Sequence, residues 1–122
     1  MGKSLNTTVE TYNEIIGYHC WKNAPDEVAF LRNPHRHRFE IRCWFEVSDD
    51  DREIEIFMQE RKIKTFLVGK FGEEMNLGYL SCEMLAKMLI NEFKCVSCQV
   101  LEDGKGGAYV AVQEYKGSLR WC

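Results

Sequence analysis

The sequence has 122 residues, of which 45% are hydrophobic and 29% are charged, and its formal net charge is −3. This length and composition predict one globular domain spanning residues 1–122, and they argue against a disordered, collagen-like or coiled-coil chain. Because acidic residues outnumber basic ones, 19 to 16, we expect no nucleic-acid partner.

The start of the chain and its apolar stretches predict where the protein works. The first residues contain no apolar run typical of a secretory signal. Charged residues interrupt every apolar stretch well before it reaches the length of a membrane span. We therefore expect a cytoplasmic protein without membrane contact, whose six cysteines are thiols and not a disulfide framework.

Strands are predicted in the first half of the chain. The clearest is Arg36–Val47, where mostly apolar residues alternate with polar ones, as in a half-buried strand. Tyr12–Trp21, rich in aromatic and β-branched residues, is its expected partner. Ser48–Asp51 predicts a polar turn. Glu53–Phe57 predicts a short third strand, with the first turn of an aspartate-capped helix as the alternative.

Two helices follow. Apolar residues at helical spacing predict a first helix over Met58–Phe71, ended by Gly72. Ser81 is the expected N-cap of a second helix, whose apolar stripe runs from Cys82 to Phe93.

The chain then predicts a hairpin. Cys95–Glu102 and Ala108–Glu114 are the expected strands, and the glycine-rich stretch Asp103–Gly107 is the loop between them. A phosphate cradle is the less favoured alternative for this loop, because the strand-loop-helix context of a P-loop is missing. The element order ββ(β)ααββ indicates an α+β fold with an antiparallel sheet and two helices.

The three histidines carry the main chemical signal. His35 and His37 lie two residues apart at the start of the best strand, so both point to one face. Together with His19 from the neighbouring strand they could share one metal ion. From spacing alone, two alternating histidines without a metal remain the favoured interpretation.

Several segments resemble the 6-pyruvoyltetrahydropterin synthase and 6-carboxytetrahydropterin synthase family. Pro34–Phe39, with His19 sixteen residues before His35, resembles the family's zinc signature, in which an upstream His joins a His-Gly-His pair. Leu80–Ala86 resembles the Pro-Thr-Ser-Glu-x-Leu-Ala motif that opens the second family helix. Val100–Glu102 resembles the strand whose Glu holds the pterin ring.

The resemblance implies a T-fold, an antiparallel sheet with two helices packed on one face, whose subunits join edge to edge. Self-association into a homohexamer made of two trimers is typical of the family. It also implies zinc as the cofactor, held by His19, His35 and His37. The implied ligand is a pterin or purine-derived small molecule, contacted by Glu102 and Ser81. The motifs leave open whether the pathway is biopterin-like, queuosine biosynthesis or another.

The acid-base residues of the family are missing. Leu31 stands where the family has its catalytic Cys, and Phe71–Asn76, where an Asp-His pair is expected, contains no His. Arg36 replaces the Gly between the paired histidines. The metal and ring-binding parts of the resemblance are therefore present in the sequence, while the parts that move protons are not.

Cys82 and Glu74 are the replacement catalytic residues that we predict. A helix N-terminus lowers the pKa of a thiol, which would make Cys82 a usable thiolate, although packing in the core is the favoured interpretation of this residue. Glu73 and Cys20 are further candidates. Cys20 ranks lower because a residue that follows His19 in a regular strand faces away from it.

Two functional hypotheses follow from the resemblance. In the first, the chain is a zinc-dependent carbon–oxygen lyase that acts on dihydroneopterin triphosphate or a related compound. In the second, a non-catalytic T-fold protein binds or sequesters a pterin, guanine or nucleotide. Two other features have simpler expected roles: core filling for the Cys95 and Cys98 pair, and a solvated or intersubunit face for the arginines that alternate from Arg36 to Arg42.

Overall fold

A four-stranded antiparallel sheet and two helices make up the fold in the computed structural model, which describes residues 5–113. The strands lie side by side in chain order: β1 (Thr7–His19), β2 (His35–Val47), β3 (Ser97–Glu102) and β4 (Gly106–Ala111). Between β2 and β3 come the helices α1 (Ile56–Phe71) and α2 (Cys82–Phe93), and a 3-10 segment, Asp26–Arg32, joins β1 to β2. This is the predicted α+β class, with both helices between the predicted pairs of strands. Glu114, the expected end of the last strand, and Cys122 lie outside the described residues.

The β1–β2 pair is the longest element of the sheet. Its register places His19 opposite His35 and Gly17 opposite His37. Along β2, the odd-numbered residues from Phe39 to Val47 are buried, and the even-numbered residues are partly or fully exposed. The alternation predicted for this strand is thereby confirmed. Its partner starts earlier and ends earlier than the predicted segment.

Both helices pack on the sheet face formed by the odd-numbered residues of β2. α1 contributes Ile63 and Leu67 to the core and α2 contributes Leu85, Ala86 and Leu89, each at most 1% exposed. Burial of one large apolar side chain stabilises a fold by about 1.5–3 kcal/mol, so this shared face holds the helices on the sheet. No helix within residues 5–113 has the length and apolar character needed to cross a membrane.

The prediction of a short strand over Glu53–Phe57 is wrong, because α1 begins inside this segment. Glu55 is the N-cap, and its carboxylate accepts hydrogen bonds from the backbone N–H groups of Phe57 and Met58 at 3.1 and 2.9 Å. These bonds satisfy amides that have no partner within the helix, and they lower the pKa of Glu55. The alternative, a helix start, is correct, with a glutamate in place of the expected aspartate cap.

The other predicted helix ends are confirmed. Gly72 ends α1 with a φ of 79°, a conformation that favours glycine. Ser81 caps α2, where its Oγ accepts a hydrogen bond from the backbone N–H of Met84 at 3.2 Å.

The segment after α1 runs along the outer edge of β1 and fixes the end that carries His19. Tyr18 donates its backbone N–H to Met75 O at 3.0 Å and accepts from the N–H of Leu77 at 2.8 Å. Gly17 permits this close approach, because a Cβ there would lie 2.9 Å from Met75 O. The backbone around residue 80 is thereby brought next to the histidines.

The predicted hairpin between β3 and β4 is confirmed. Gly107 pairs with Leu101, and a Cβ on Gly107 would lie 1.8 Å from the carbonyl oxygen of Val100. Since that neighbour is backbone and not a flexible side chain, position 107 has no room for a side chain. At Gly106, by contrast, a Cβ would have no neighbouring atom within 4 Å.

Gly107→Ala is expected to lower the free energy of unfolding by about 2 kcal/mol or more, the scale of other substitutions that force the backbone to move. Thermal or denaturant unfolding measures this change. Gly106→Ala is the matched control and should shift stability far less, because its methyl group meets open space. Equal stability of the two variants would contradict the proposed clash.

Candidate metal centre

The structure brings the three histidines together at one end of the β1–β2 pair. His19 ends β1, and His35 and His37 begin β2 on the face that carries the core. One ring nitrogen from each lies within 4.8 Å of the other two. The ring centroids are 4.7 Å apart for His19 and His35, 4.9 Å for His35 and His37, and 5.3 Å for His19 and His37. The three residues thus form a group that could hold a metal ion.

Backbone carbonyls fix the orientation of two of these rings. Nδ1 of His19 donates to Leu80 O at 2.9 Å, and Nδ1 of His35 donates to Asn33 O at 2.9 Å. Because a carbonyl oxygen can only accept, both Nδ1 atoms carry the hydrogen. In the neutral rings Nε2 therefore keeps its lone pair, as a metal ligand must.

An aspartate orients the third ring. Nδ1 of His37 donates to Asp103 Oδ2 at 2.7 Å, and the backbone N–H of Arg38 donates to Asp103 Oδ1 at 3.0 Å. These two hydrogen bonds lower the pKa of Asp103 and keep it ionised at neutral pH. A carboxylate behind a histidine ring is the usual outer partner of a metal-bound histidine.

The Nε2 atom of His37 is buried and has no hydrogen-bond partner among the described residues. The Glu102 carboxylate lies 3.5 Å away, an ion-pair distance without hydrogen-bond geometry. A buried polar atom without a partner costs about 1–3 kcal/mol. A cation bound by the three Nε2 atoms would remove this cost, so the residues present fit a divalent metal ion.

A pocket of about 420 Å³ lies beside His19 and His35. This volume is within the range of small-molecule sites. Trp21 and Tyr79 line it and are 52% and 66% exposed, which leaves aromatic surface free at the pocket. The full lining comprises His19, Cys20, Trp21, Leu31, His35, Tyr79, Leu80, Ser81, Cys82, Glu83, Met84, Glu102, Gly106 and Gly107.

Leu31 and Cys20 both line this pocket. The position that the resemblance gives to a catalytic thiol therefore borders the pocket but carries a hydrocarbon. That the side chain of Cys20 faces away from the histidines stays a prediction, and β1 ends directly before this residue, at His19. The backbone N–H of Cys20 donates to Gly78 O at 2.9 Å, on the same edge where the N–H of Tyr18 donates to Met75 O.

Cys82 also lies at the pocket, but it is not the low-pKa thiolate that its helix position predicts. Its side chain is buried in the core cluster, and its Sγ donates to Glu102 Oε2 at 3.5 Å. Burial and the neighbouring carboxylate raise the pKa of the Cys82 thiol to about 12. Core packing, the favoured interpretation of this residue, is confirmed.

The remaining predicted site residues are divided between the pocket and the surface. Glu102 and Ser81 line the pocket, although the Ser81 hydroxyl is engaged as the cap of α2. Glu74 is exposed in the turn after α1 and is not among the lining residues. Cys95 and Cys98 fill the core, as expected, at 1% and 0% exposure.

Sequence reasoning misses the groups that orient the rings. The sequence presents Asp103 only as a member of the hairpin loop, although it follows Glu102 directly at the end of β3. The carbonyls of Leu80 and Asn33 belong to the backbone, so no residue type signals them. Trp21 and Tyr79 belong to no recognisable motif. They lie at the pocket because of the course of the loops that contain them.

No protein-family model matches the chain, and no curated protein sequence matches it either.

The metal-free protein is expected to lose stability as the pH falls below about 6.5. Burial lowers the pKa of His19 below its ordinary value of 6.5, so the unfolded chain takes up this proton at a higher pH than the folded chain does. One such proton lowers the free energy of unfolding by at most about 1.4 kcal/mol per pH unit. Denaturant unfolding in the presence of a chelator, at several pH values, measures the slope. His19→Gln should reduce that slope, and an unchanged slope would contradict the assignment.

Proposed function

We propose that the protein binds zinc and a pterin or related purine-derived small molecule, in the manner of the pterin synthase family that its sequence resembles. The observation that carries this proposal is the geometry of His19, His35 and His37, whose Nδ1 atoms all have acceptors while their Nε2 atoms remain for a metal ion beside a small-molecule pocket.

Zinc is the ion that this donor set favours. Imidazole nitrogen is a common zinc ligand, and three histidines with a further position for water or substrate form a known zinc arrangement. When bound, the ion would polarise a hydroxyl or carbonyl oxygen of the ligand. His19, His35 and His37 would hold the ion, and Asp103 would keep the His37 ring in place.

The pocket supports a planar heterocycle as the ligand. Trp21 and Tyr79 expose their aromatic rings at its lining, and aromatic side chains stack on flat ring systems. The volume of about 420 Å³ suits a molecule of this size. The histidine signature and Leu80–Ala86 resemble motifs of the pterin synthase family. This resemblance indicates the chemical class of the ligand, a pterin or a purine-derived compound.

Binding without turnover is the form of this function that the site supports best. Leu31 occupies the position of the family base and cannot accept a proton. The raised pKa of Cys82 keeps that thiol protonated at neutral pH, and Glu74 lies away from the pocket lining. Leu31, Cys82 and Glu74 therefore do not replace the family's thiolate.

Lyase activity is the second candidate, and the position of Cys20 favours it. Cys20 lines the same pocket as His19 and His35, and in this candidate function its thiol would take the place of the missing family cysteine. Release of triphosphate from dihydroneopterin triphosphate by the zinc-loaded protein, and its loss in Cys20→Ser, would establish turnover. Absence of release above the buffer rate would leave binding as the function.

Assembly into a homohexamer remains a prediction of the resemblance. Within residues 5–113, β4 is an edge strand of the sheet, and an edge strand has backbone groups that can pair with another chain. Edge-to-edge association would give β4 a partner.

The parent protein is expected to bind about one zinc ion per chain, and His35→Ala should lose most of it, because three ligands would fall to two. Elemental analysis after dialysis measures the stoichiometry. Arg36→Ala is a control, since this residue alternates with the histidines and is exposed on the other side of β2. Equal zinc content in the parent and His35→Ala would contradict the metal centre.

Trp21→Ala is expected to weaken the binding of neopterin by roughly 5- to 150-fold, which corresponds to the 1–3 kcal/mol of one aromatic stacking contact. Fluorescence or calorimetric titration of the zinc-loaded protein measures the affinity. Phe30→Ala is the matched control, because Phe30 is a 72% exposed aromatic residue outside the pocket lining. If the parent does not bind neopterin, or if both variants lose affinity equally, the pocket assignment fails.

A further inference from the structure

The carboxylate of Glu102 faces two of the three histidines. Its Oε2 lies 3.2 Å from Nε2 of His19, and its Oε1 lies 3.5 Å from Nε2 of His37. Glu102 is the last residue of β3 and pairs with Phe39 of β2, so the sheet itself carries the carboxylate to the start of β2. The resemblance assigns this residue to the ligand ring, whereas its contacts in the structure are with the metal centre.

The two distances match the spacing of ligands around one zinc ion. Zinc lies about 2.0–2.1 Å from imidazole nitrogen and about 2.0–2.2 Å from carboxylate oxygen, so two such ligands of a tetrahedral ion are about 3.4 Å apart. The observed separations of 3.2 and 3.5 Å bracket this value.

Charge also calls for a cation between these atoms. The Nδ1 atoms of His19 and His37 carry the hydrogens, because their partners are a carbonyl and an ionised carboxylate. In the neutral rings, both Nε2 lone pairs would then face the oxygens of Glu102. This contact is repulsive unless a positive charge, either a proton or a metal ion, lies between them.

A thiol holds the carboxylate from the other side. Sγ of Cys82 donates to Oε2 of Glu102 at 3.5 Å, and Cys82 is fixed in the core at the start of α2. Hydrogen bonds of this kind to a ligating carboxylate are part of the outer shell of metal sites. The sheet, the helix and the two histidines therefore all position the same carboxylate.

We propose that Glu102 is a fourth protein ligand of the metal ion, so that three imidazoles and one carboxylate close its coordination sphere. The inference rests on the proposed function, because it assumes a metal ion at His19, His35 and His37. It extends that function, because Glu102 would control the access of a small molecule to the ion. A small molecule in the pocket can reach the ion only by displacing Glu102, or else it binds beside an ion that it does not touch.

The test uses the metal ions alone. Zn²⁺ affinity is measured by competition with a chelator, and the protein loaded with Co²⁺ is titrated with azide while its visible spectrum is recorded. Azide adds to an ion that has an open or water-filled position and changes the spectrum. We expect the parent spectrum to be insensitive to azide, and we expect Glu102→Gln to bind Zn²⁺ at least tenfold more weakly and to respond to azide. Glu92→Gln removes the same charge from an exposed position on α2 and should behave as the parent does.

Each outcome bears on the proposal. A parent spectrum that responds to azide, or a Glu102→Gln variant that binds Zn²⁺ as tightly as the parent, overturns the assignment of Glu102 and leaves the metal centre intact. If Glu102→Gln binds Zn²⁺ as tightly as the parent but loses neopterin binding, Glu102 is the ring contact that the resemblance implies. A parent that binds no zinc overturns the proposed function as well. If Glu102→Gln does not fold, the azide titration of the parent decides alone.

Discussion

The register between β1 and β2 is the constraint on which the site depends. The pairing runs over 13 residues and ends with His19 opposite His35. Because side chains alternate along a strand, a slip of one residue would turn His19 away from the other two histidines. The same slip would move Ile15, which is 3% exposed, out of the core. The apolar core that stabilises the fold therefore also holds the donor atoms in place.

Much of the fold could be predicted because it is encoded in local patterns. The alternation along β2 identifies a half-buried strand, Ser81 marks the start of α2, and Gly72 marks the end of α1. The error at Glu53–Phe57 has the same local origin, since a glutamate cap followed by two apolar residues of a helix resembles a short alternation. Only the contacts of Glu55 with the next amides distinguish the two.

The sequence predicts the candidate metal ligands of the site but not the groups that surround them. The spacing of His35 and His37 places two candidate ligands on one face of β2, and His19 of the neighbouring strand completes the group. What surrounds them depends on contacts between distant parts of the chain: Asp103 reaches His37 across 66 positions, and the carbonyl of Leu80 reaches His19 across 61. The pKa of Cys82 rises for a similar reason, because the effect of burial and of Glu102 exceeds that of the helix terminus. No local pattern contains these effects.

The burial of three sulfur atoms decides which side chains of the folded protein a metal ion could reach. Cys43, Cys95 and Cys98 are enclosed by the core, at 0%, 1% and 0% exposure, and thiolates are strong ligands for zinc. In the unfolded chain these thiols are accessible, so an ion that arrives early would be captured by sulfur and would stabilise the wrong state. Once the core has formed, these thiols are enclosed and would no longer compete with His19, His35 and His37 for an ion.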